Sequence, residues 1–357
     1  LIAFAAALPL LQDGALLNTR GGGDSPFLLQ RVQQLVSALQ DGHFPVRWMP
    51  DAAYGYGYPF FNYYAPLSIY SAALFRFLGA PFTTAIQLAQ LSAFLLAAWA
   101  TLELARRWLR DDWAALLASA AYTLAPFHLL NVYVRGDSLA EFWAIALYPL
   151  VLLAADNLLV PDMEATPSAA APSAVTTRIV LLALAYAALI LSHNISALIF
   201  SPFLLLYIVL VIAAREMQFL RSRAFLYAAL ALALGLLLSA WFWIPALGES
   251  ALAQTAPVTS GYFHYSNHFR GADIVQSSFF FDWQVAGQRA FRMGLVQVLL
   301  TFGGLLALIW RWRQRSGDNQ RTPRFLTIIF AVAALLVATF MITPLSRVLW
   351  DLSLIHI

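Results

Sequence analysis

The residues able to do chemistry in this chain fall in four short stretches. The first is Gly21-Gly22-Gly23-Asp24-Ser25-Pro26. Asp24 can take a proton from a hydroxyl, three glycines permit close backbone approach, and the helix that starts behind it presents N–H groups suited to a phosphate. The plainer alternative is that Asp24 or Ser25 only caps that helix. The second is Tyr133-Val134-Arg135-Gly136-Asp137-Ser138-Leu139-Ala140-Glu141. Asp137 and Glu141, four apart, share a helix face. Beside Arg135 they suit a divalent cation, or a substrate hydroxyl and phosphate. Ser138 and Glu141 also match a capping box, which accounts for Glu141 without function. The third is Ser192-His193-Asn194, where His193 suits acid–base work or a metal ion, although a histidine in a helix–helix turn needs neither. The fourth, residues 246–293, holds Glu249, Tyr262, His264, Tyr265, His268, Arg270, Asp273 and Asp282. His264 and His268 are four apart, but no His-Glu-x2-His motif accompanies them. A lid is the expectation there, rather than a metal site.

A fifth stretch is aromatic. Phe44-Pro45-Val46-Arg47-Trp48 leads into residues 54–64, where seven of eleven side chains are aromatic. Tyr56 and Tyr58 suit stacking on a sugar ring or docking a polyprenyl chain; the alternative is an interfacial aromatic belt. Arg47 would pair with a phosphate or snorkel to headgroups.

These residues have to be carried by membrane-spanning helices. The chain is 61% hydrophobic and 11% charged, against roughly 25% charged in an average soluble domain. It has no cysteine, which excludes disulfides and thiolate chemistry, and all 21 basic residues are arginine, which excludes a lysine Schiff base. The formal charge of +3 is small and no nucleic-acid partner is expected. Apolar runs predict spans at 1–17, 84–105, 113–131, 139–160, 178–192, 195–214, 224–245, 294–310 and 325–344, each near the length needed for about 30 Å of hydrocarbon, with 178–192 short. Residues 65–78 read as an interfacial helix or a further span. Residues 159–177 read as a flexible low-complexity loop.

Within 18–83, Ser25 and Pro26 start a helix over 26–40. Its apolar stripe of Leu28, Val32, Leu35, Val36 and Leu39 faces away from Gln30, Arg31, Gln34 and Ser37, and Gly42 ends it. The pattern predicts an amphipathic helix lying on the outer membrane surface. The connections 106–112, 215–223 and 311–324 carry eleven arginines in thirty residues. The positive-inside rule puts them in the cytoplasm. Alternation then places 18–83, 133–138, His193-Asn194 and 246–293 outside, provided that 65–78 does not cross.

The chain reads as a single transmembrane domain over 1–357, a fragment truncated at both ends. It lacks an initiator methionine and begins inside an apolar run. Residues 352–357 resemble an adaptor-derived tail, so His356 is given no role; the alternative is a natural C-terminus.

The order of the clusters resembles the bacterial membrane-protein family labelled "6-pyruvoyl-tetrahydropterin synthase-related". The matching pieces are Gly23-Asp24-Ser25-Pro26-Phe27, Phe44-Pro45-Val46-Arg47, Gly55-Tyr56-Gly57-Tyr58-Pro59, Arg135 through Phe142, and Ser192-His193-Asn194. Weaker likeness runs through Trp243-Ile244-Pro245-Ala246-Leu247 and residues 346–350. The resemblance implies an all-α polytopic bundle of GT-C type with outer-face juxtamembrane helices. It further implies an inverting glycosyltransferase in the inner membrane, moving a sugar from a polyprenyl-phosphate donor to a glycan, lipid or protein acceptor on the extracytoplasmic face. On this reading Asp24 and Asp137 are catalytic, and Arg47, Arg135, Glu141, His193, Asn194, Tyr56 and Tyr58 bind substrate. No metal ligand is assigned, with a divalent cation as the one possible cofactor. The competing expectation is a non-enzymatic glycolipid transporter or envelope-assembly protein.

Overall fold

The computed structural model describes residues 1–11, 25–135, 138–160, 172–215, 222–253, 260–261, 264–271, 273–279, 292–314 and 323–353. The described residues are helical, apart from two isolated β-bridges and the connecting segments. Five helices are long and apolar enough to cross a membrane, and two bent helix pairs raise the count to seven. The chain divides into two compact units: residues 1–245 with 281–291, and residues 246–280 with 292–357.

In the first unit the helices are α1 (Ile2–Ala7), α2 (Ser25–Gln40), α3 (Phe60–Tyr63), α4 (Leu67–Phe77), α5 (Phe82–Leu109), α6 (Asp112–Thr123), α7 (Pro126–Tyr133), α8 (Leu139–Leu159), α9 (Pro172–Ser192), α10 (Asn194–Arg215), α11 (Arg223–Leu238) and the first turns of α12 (Ala240–Gly248). Side-chain ties fix their directions. Trp143 donates to the Ala89 carbonyl at one end of α5 and α8, and Arg107 pairs with Asp156 at the other, so these two helices run parallel. Tyr148 donates to the Ser196 carbonyl and Tyr207 to Asp156, so α10 runs parallel to them. Ser119 donates to the Ala98 carbonyl, and Asp112 meets Arg106, so α6 returns antiparallel. The starts of α5, α8 and α10 therefore share one end with the α7–α8 and α9–α10 connections. Arg106, Arg107 and Arg110 lie at the opposite end.

Three predictions need correction. The stripe on α2 is buried as expected, but against protein rather than lipid. Leu28, Val32 and Leu35 sit in one core cluster with Phe61, Ile69, Ile86 and Leu139. The apolar face is thus already occupied, and the helix does not lie free on a bilayer surface. The predicted stop is right: Gly42, at φ +82°, lets its N–H reach the Leu39 carbonyl and the N–H of His43 reach that of Ala38, a Schellman ending. The predicted span 113–131 stands, within Asp112–Tyr133, as one stretch long and apolar enough to cross; inside it α6 gives way to α7, because Pro126 has no N–H and forces Ala125 out of the helical region. The span 224–245 is bent by 66° between α11 and α12. The break falls at Ser239, whose hydroxyl donates to the Gly235 and Leu236 carbonyls. Finally, part of the predicted loop 159–177 is helix: α8 runs to Leu159, and α9 begins at Pro172, making the span predicted as short a full 21 residues.

Within residues 65–78 lies α4, 11 residues long. That is roughly 16 Å at 1.5 Å per residue, about half of a hydrocarbon core. Ser68, Ile69, Ala72 and Ala73 bury one face of it, so this segment does not cross alone.

The second unit contains α13 (Leu295–Gln314), α14 (Pro323–Met341) and α15 (Arg347–Ser353). The last two are turned by 85° at a short break. Most of the connection 246–293 belongs to this unit, and residues 254–259, 262–263, 272 and 280–291 of it lie outside the described residues.

Candidate functional site

The N-terminal end of α8 is where the predicted residues meet. After α7, the N–H groups of Val134 and Arg135 both return to the Leu130 carbonyl, which turns the chain back toward α8. Arg135 Nη1 donates to Asn131 Oδ1 at 2.9 Å and to Glu141 Oε2 at 2.5 Å. Glu141 stands in the first turn of α8, where the helix dipole favours a carboxylate. The capping box read from Ser138 and Glu141 is not formed. Ser138 occupies the N-cap position at φ −75°, ψ 37°, with no side-chain capping bond. Away from the extended conformation of a usual N-cap, its hydroxyl does not satisfy the free N–H groups of the first turn. Glu141 is held by Arg135 instead. Two buried groups beside this pair, the Asn131 Nδ2 amide and the Ser138 hydroxyl, have no hydrogen-bond partner among the described residues.

His193 closes the α9–α10 turn. Its backbone N–H donates to the Leu189 carbonyl, and its own carbonyl accepts from the N–H of Ala197. Its ring Nδ1 accepts from the backbone N–H of Ser196 at 3.3 Å and lies 2.8 Å from the Ser196 hydroxyl. The imidazole therefore caps α10, and the proton of the neutral ring belongs on Nε2. Burial pushes its pKa below the usual histidine range; the Glu141 carboxylate works against that shift and the Arg135 guanidinium adds to it. His193 thus stands within the field of both members of the ion pair. Asn194, the first residue of α10, is exposed.

Arg47 is drawn to a different duty. Pro245 has no N–H, so the Trp241 carbonyl one turn earlier lacks its helical partner. Arg47 Nη2 fills the gap at 2.7 Å, and Nη1 donates to Asn62 Oδ1 at 2.9 Å. The guanidinium ties the aromatic stretch to α12. Within that stretch Met49 and Tyr58 exchange two backbone hydrogen bonds. Between them Ala53, Tyr54, Gly55 and Gly57 all hold positive φ. The Trp48 ring lies over Gly57 so closely that a Cβ there would sit 2.4 Å from it. Tyr56 and Tyr58 point outward, Tyr56 at 88% exposure. Phe60 and Tyr64 stack on each other, and the Arg31 guanidinium lies over both rings.

Asp24 and Asp137 lie outside the described residues. The helices that follow them do not: Leu28 near the start of α2 and Leu139 at the start of α8 belong to one core cluster. In the second unit, His264 Nδ1 accepts from the N–H of Ser266, Tyr265 donates to Asp351, and Arg292 meets Asp273 at 3.5 Å. Among the described residues no group of three or more His, Asp or Glu side chains is arranged to hold a metal ion.

One polar cluster was missed in the sequence. At the far end of α8, Asp156 is buried and accepts from Arg107 Nε at 2.6 Å, from Trp108 and from Tyr207; Arg107 also donates to the Val160 carbonyl. The available signal was an aspartate inside an apolar run, an ionisable residue that needs a partner.

A family model described as "6-pyruvoyl-tetrahydropterin synthase related domain; membrane protein" matches residues 61–357. An "Uncharacterized protein" of Lactococcus lactis subsp. cremoris (strain MG1363) is 26% identical over 201 residues, covering 55% of this chain and 30% of that protein. The chain thus matches under a third of that relative's length. No solved structure matches.

Proposed function

The chain belongs to the 6-pyruvoyl-tetrahydropterin synthase-related family of membrane proteins, and from that premise we propose that it is a GT-C-like glycosyltransferase. It would transfer a sugar from a polyprenyl-phosphate donor to an acceptor hydroxyl at the extracytoplasmic face of the inner membrane. The observation that carries this reading is convergence. Arg135, Glu141 and His193 share one end of the bundle with the segment 25–81, while Arg106, Arg107 and Arg110 lie at the other. Arginine-rich ends favour the cytoplasm, which turns the Arg135 end outward.

In the proposed reaction the acceptor hydroxyl gives its proton to Asp24 as its oxygen bonds to the sugar C1. The C1–O bond to the lipid phosphate breaks, the electron pair leaves with the phosphate, and the configuration at C1 inverts. Arg135 stabilises the departing phosphate charge. Asp137 orients the acceptor, or holds a divalent cation where one is used. Asp24→Asn, assayed for transfer of labelled sugar from a polyprenyl-phosphate donor, is expected to lower the rate by at least about 100-fold. Full activity in that variant removes Asp24 from the reaction.

A glycolipid flippase is the second reading. It is favoured by the α6–α7 break and by the buried Gln90, His128 and Asn131 in the helices around it, since transporters place polar groups and broken helices within the membrane. Proteoliposomes that move a fluorescent glycolipid between leaflets without forming a new glycoside would select it.

A further inference from the structure

We propose that the N-terminus of α8 is an oxyanion site for a phosphate group, and that Glu141 is its built-in competitor. In the ligand-free chain the Glu141 carboxylate holds Arg135; an incoming phosphate takes its place. This rests on Arg135 being the phosphate-facing cation of the proposed reaction, but it concerns binding and not transfer.

The argument starts from the unpartnered groups. The Asn131 amide is spent on one side only: Oδ1 accepts from Arg135, while Nδ2, on the same planar group, has no partner among the described residues although Asn131 is 1% exposed. Ser138 is 5% exposed, sits at the N-cap without capping, and leaves its hydroxyl unpartnered. Both groups can donate; the amide is bound to the Arg135 guanidinium and the hydroxyl stands at the N-cap of the same 21-residue helix. Among the described residues, donors gather at this end of α8, apart from the Glu141 carboxylate. A buried donor left unmade is unfavourable, and an oxygen-rich anion is the ligand that satisfies all of them together with the free N–H groups of the first turn.

Glu141 is suited to yield. The Arg135 and Glu141 side chains are 40% and 22% exposed, so a ligand has access and the pair is worth little to stability. Its carboxylate mimics the charge of the ligand and keeps the guanidinium oriented until the ligand arrives. A tetrahedral phosphate has more acceptor oxygens than the carboxylate, and reaches the donors that Glu141 does not.

The test measures binding without turnover. The purified full chain in detergent is titrated calorimetrically with inorganic phosphate and, separately, with dioctyl phosphate, a phosphodiester with lipid-like tails. Glu141→Gln is expected to bind at least one probe about tenfold more tightly than the unmodified chain. Arg135→Gln is expected to abolish binding. Ser138→Ala, which keeps the ion pair, should weaken binding by about fivefold. A preference for dioctyl phosphate identifies a lipid headgroup as the source, and equal binding identifies free phosphate. Weaker or unchanged binding in Glu141→Gln overturns the competitor role. Unchanged binding in Ser138→Ala, or no binding of either probe to the unmodified chain and Glu141→Gln, overturns the site. Should Glu141→Gln not fold, the Ser138→Ala result decides. Loss of transfer in Asp24→Asn leaves every one of these outcomes untouched, so the two readings fail separately.

Discussion

His193 has one ring nitrogen engaged in the α10 cap, which leaves Nε2 as the atom available to a ligand. Because burial holds its pKa below the ordinary value, the folded chain binds fewer protons here than the unfolded chain does. The contribution of this group to stability is complete above about pH 6.5 and declines as the pH falls toward the lowered folded pKa. The thermal midpoint of the unmodified chain is therefore expected to drop further between pH 7 and pH 5 than that of His193→Asn, which keeps a capping side chain. Parallel pH slopes would contradict this. Sequence spacing identified Arg135, Glu141 and His193 as candidates because residue type and charge are local properties. It paired Glu141 with the wrong partner, since a capping box and an ion pair with a residue six positions earlier compete for the same carboxylate. The N-cap backbone conformation decides that competition.

The aromatic segment between α2 and α4 shows the same limit for elements. Its composition is plain in the sequence, but its shape depends on four positive φ values and on the Trp48 ring lying over Gly57. Gly57→Ala meets both constraints, φ +83° and a 2.4 Å approach to the indole. It is expected to destabilise the fold by roughly 2–4 kcal/mol, measured by denaturation in detergent. In a Trp48→Ala background the same change should lose the part due to collision and keep the part due to backbone strain. A cost identical in both backgrounds would show that the indole is not the obstacle. The stripe on α2 was legible for the reason that heptad-like spacing always is, whereas its occupant was not. Periodicity reports that a face is apolar and says nothing about whether protein or lipid covers it. The breaks at Pro126 and Ser239 escaped hydropathy because apolar residues continue on both sides.

For the whole molecule, the approximate limits of seven of the nine predicted spans were readable, since hydrocarbon thickness dictates the length of each apolar run, whereas among the described residues 1–17 and 294–310 hold only shorter apolar helices, so the count was too high. The side of the membrane is a matter for chemistry on intact cells. The absence of cysteine makes each introduced thiol unique. Tyr56→Cys is expected to react with a membrane-impermeant maleimide added outside, and Leu109→Cys only after permeabilisation. The reverse pattern would turn the proposed site to the cytoplasm. The Asp156 cluster went unread because its three partners come from α5 and α10, far apart in the chain. Once seen, it gives α8 two charged anchors, Glu141 and Asp156, fifteen positions apart, or roughly 22 Å at 1.5 Å per residue. That is several ångströms less than an average bilayer core. A lone helix so marked would force the surrounding lipid to thin or drag a charge into it. With 78% of its apolar window enclosed by other helices, α8 passes that mismatch to protein neighbours. The unit can then carry a shortened polar-to-polar distance through its centre while its outer helices keep the thickness that the bilayer prefers.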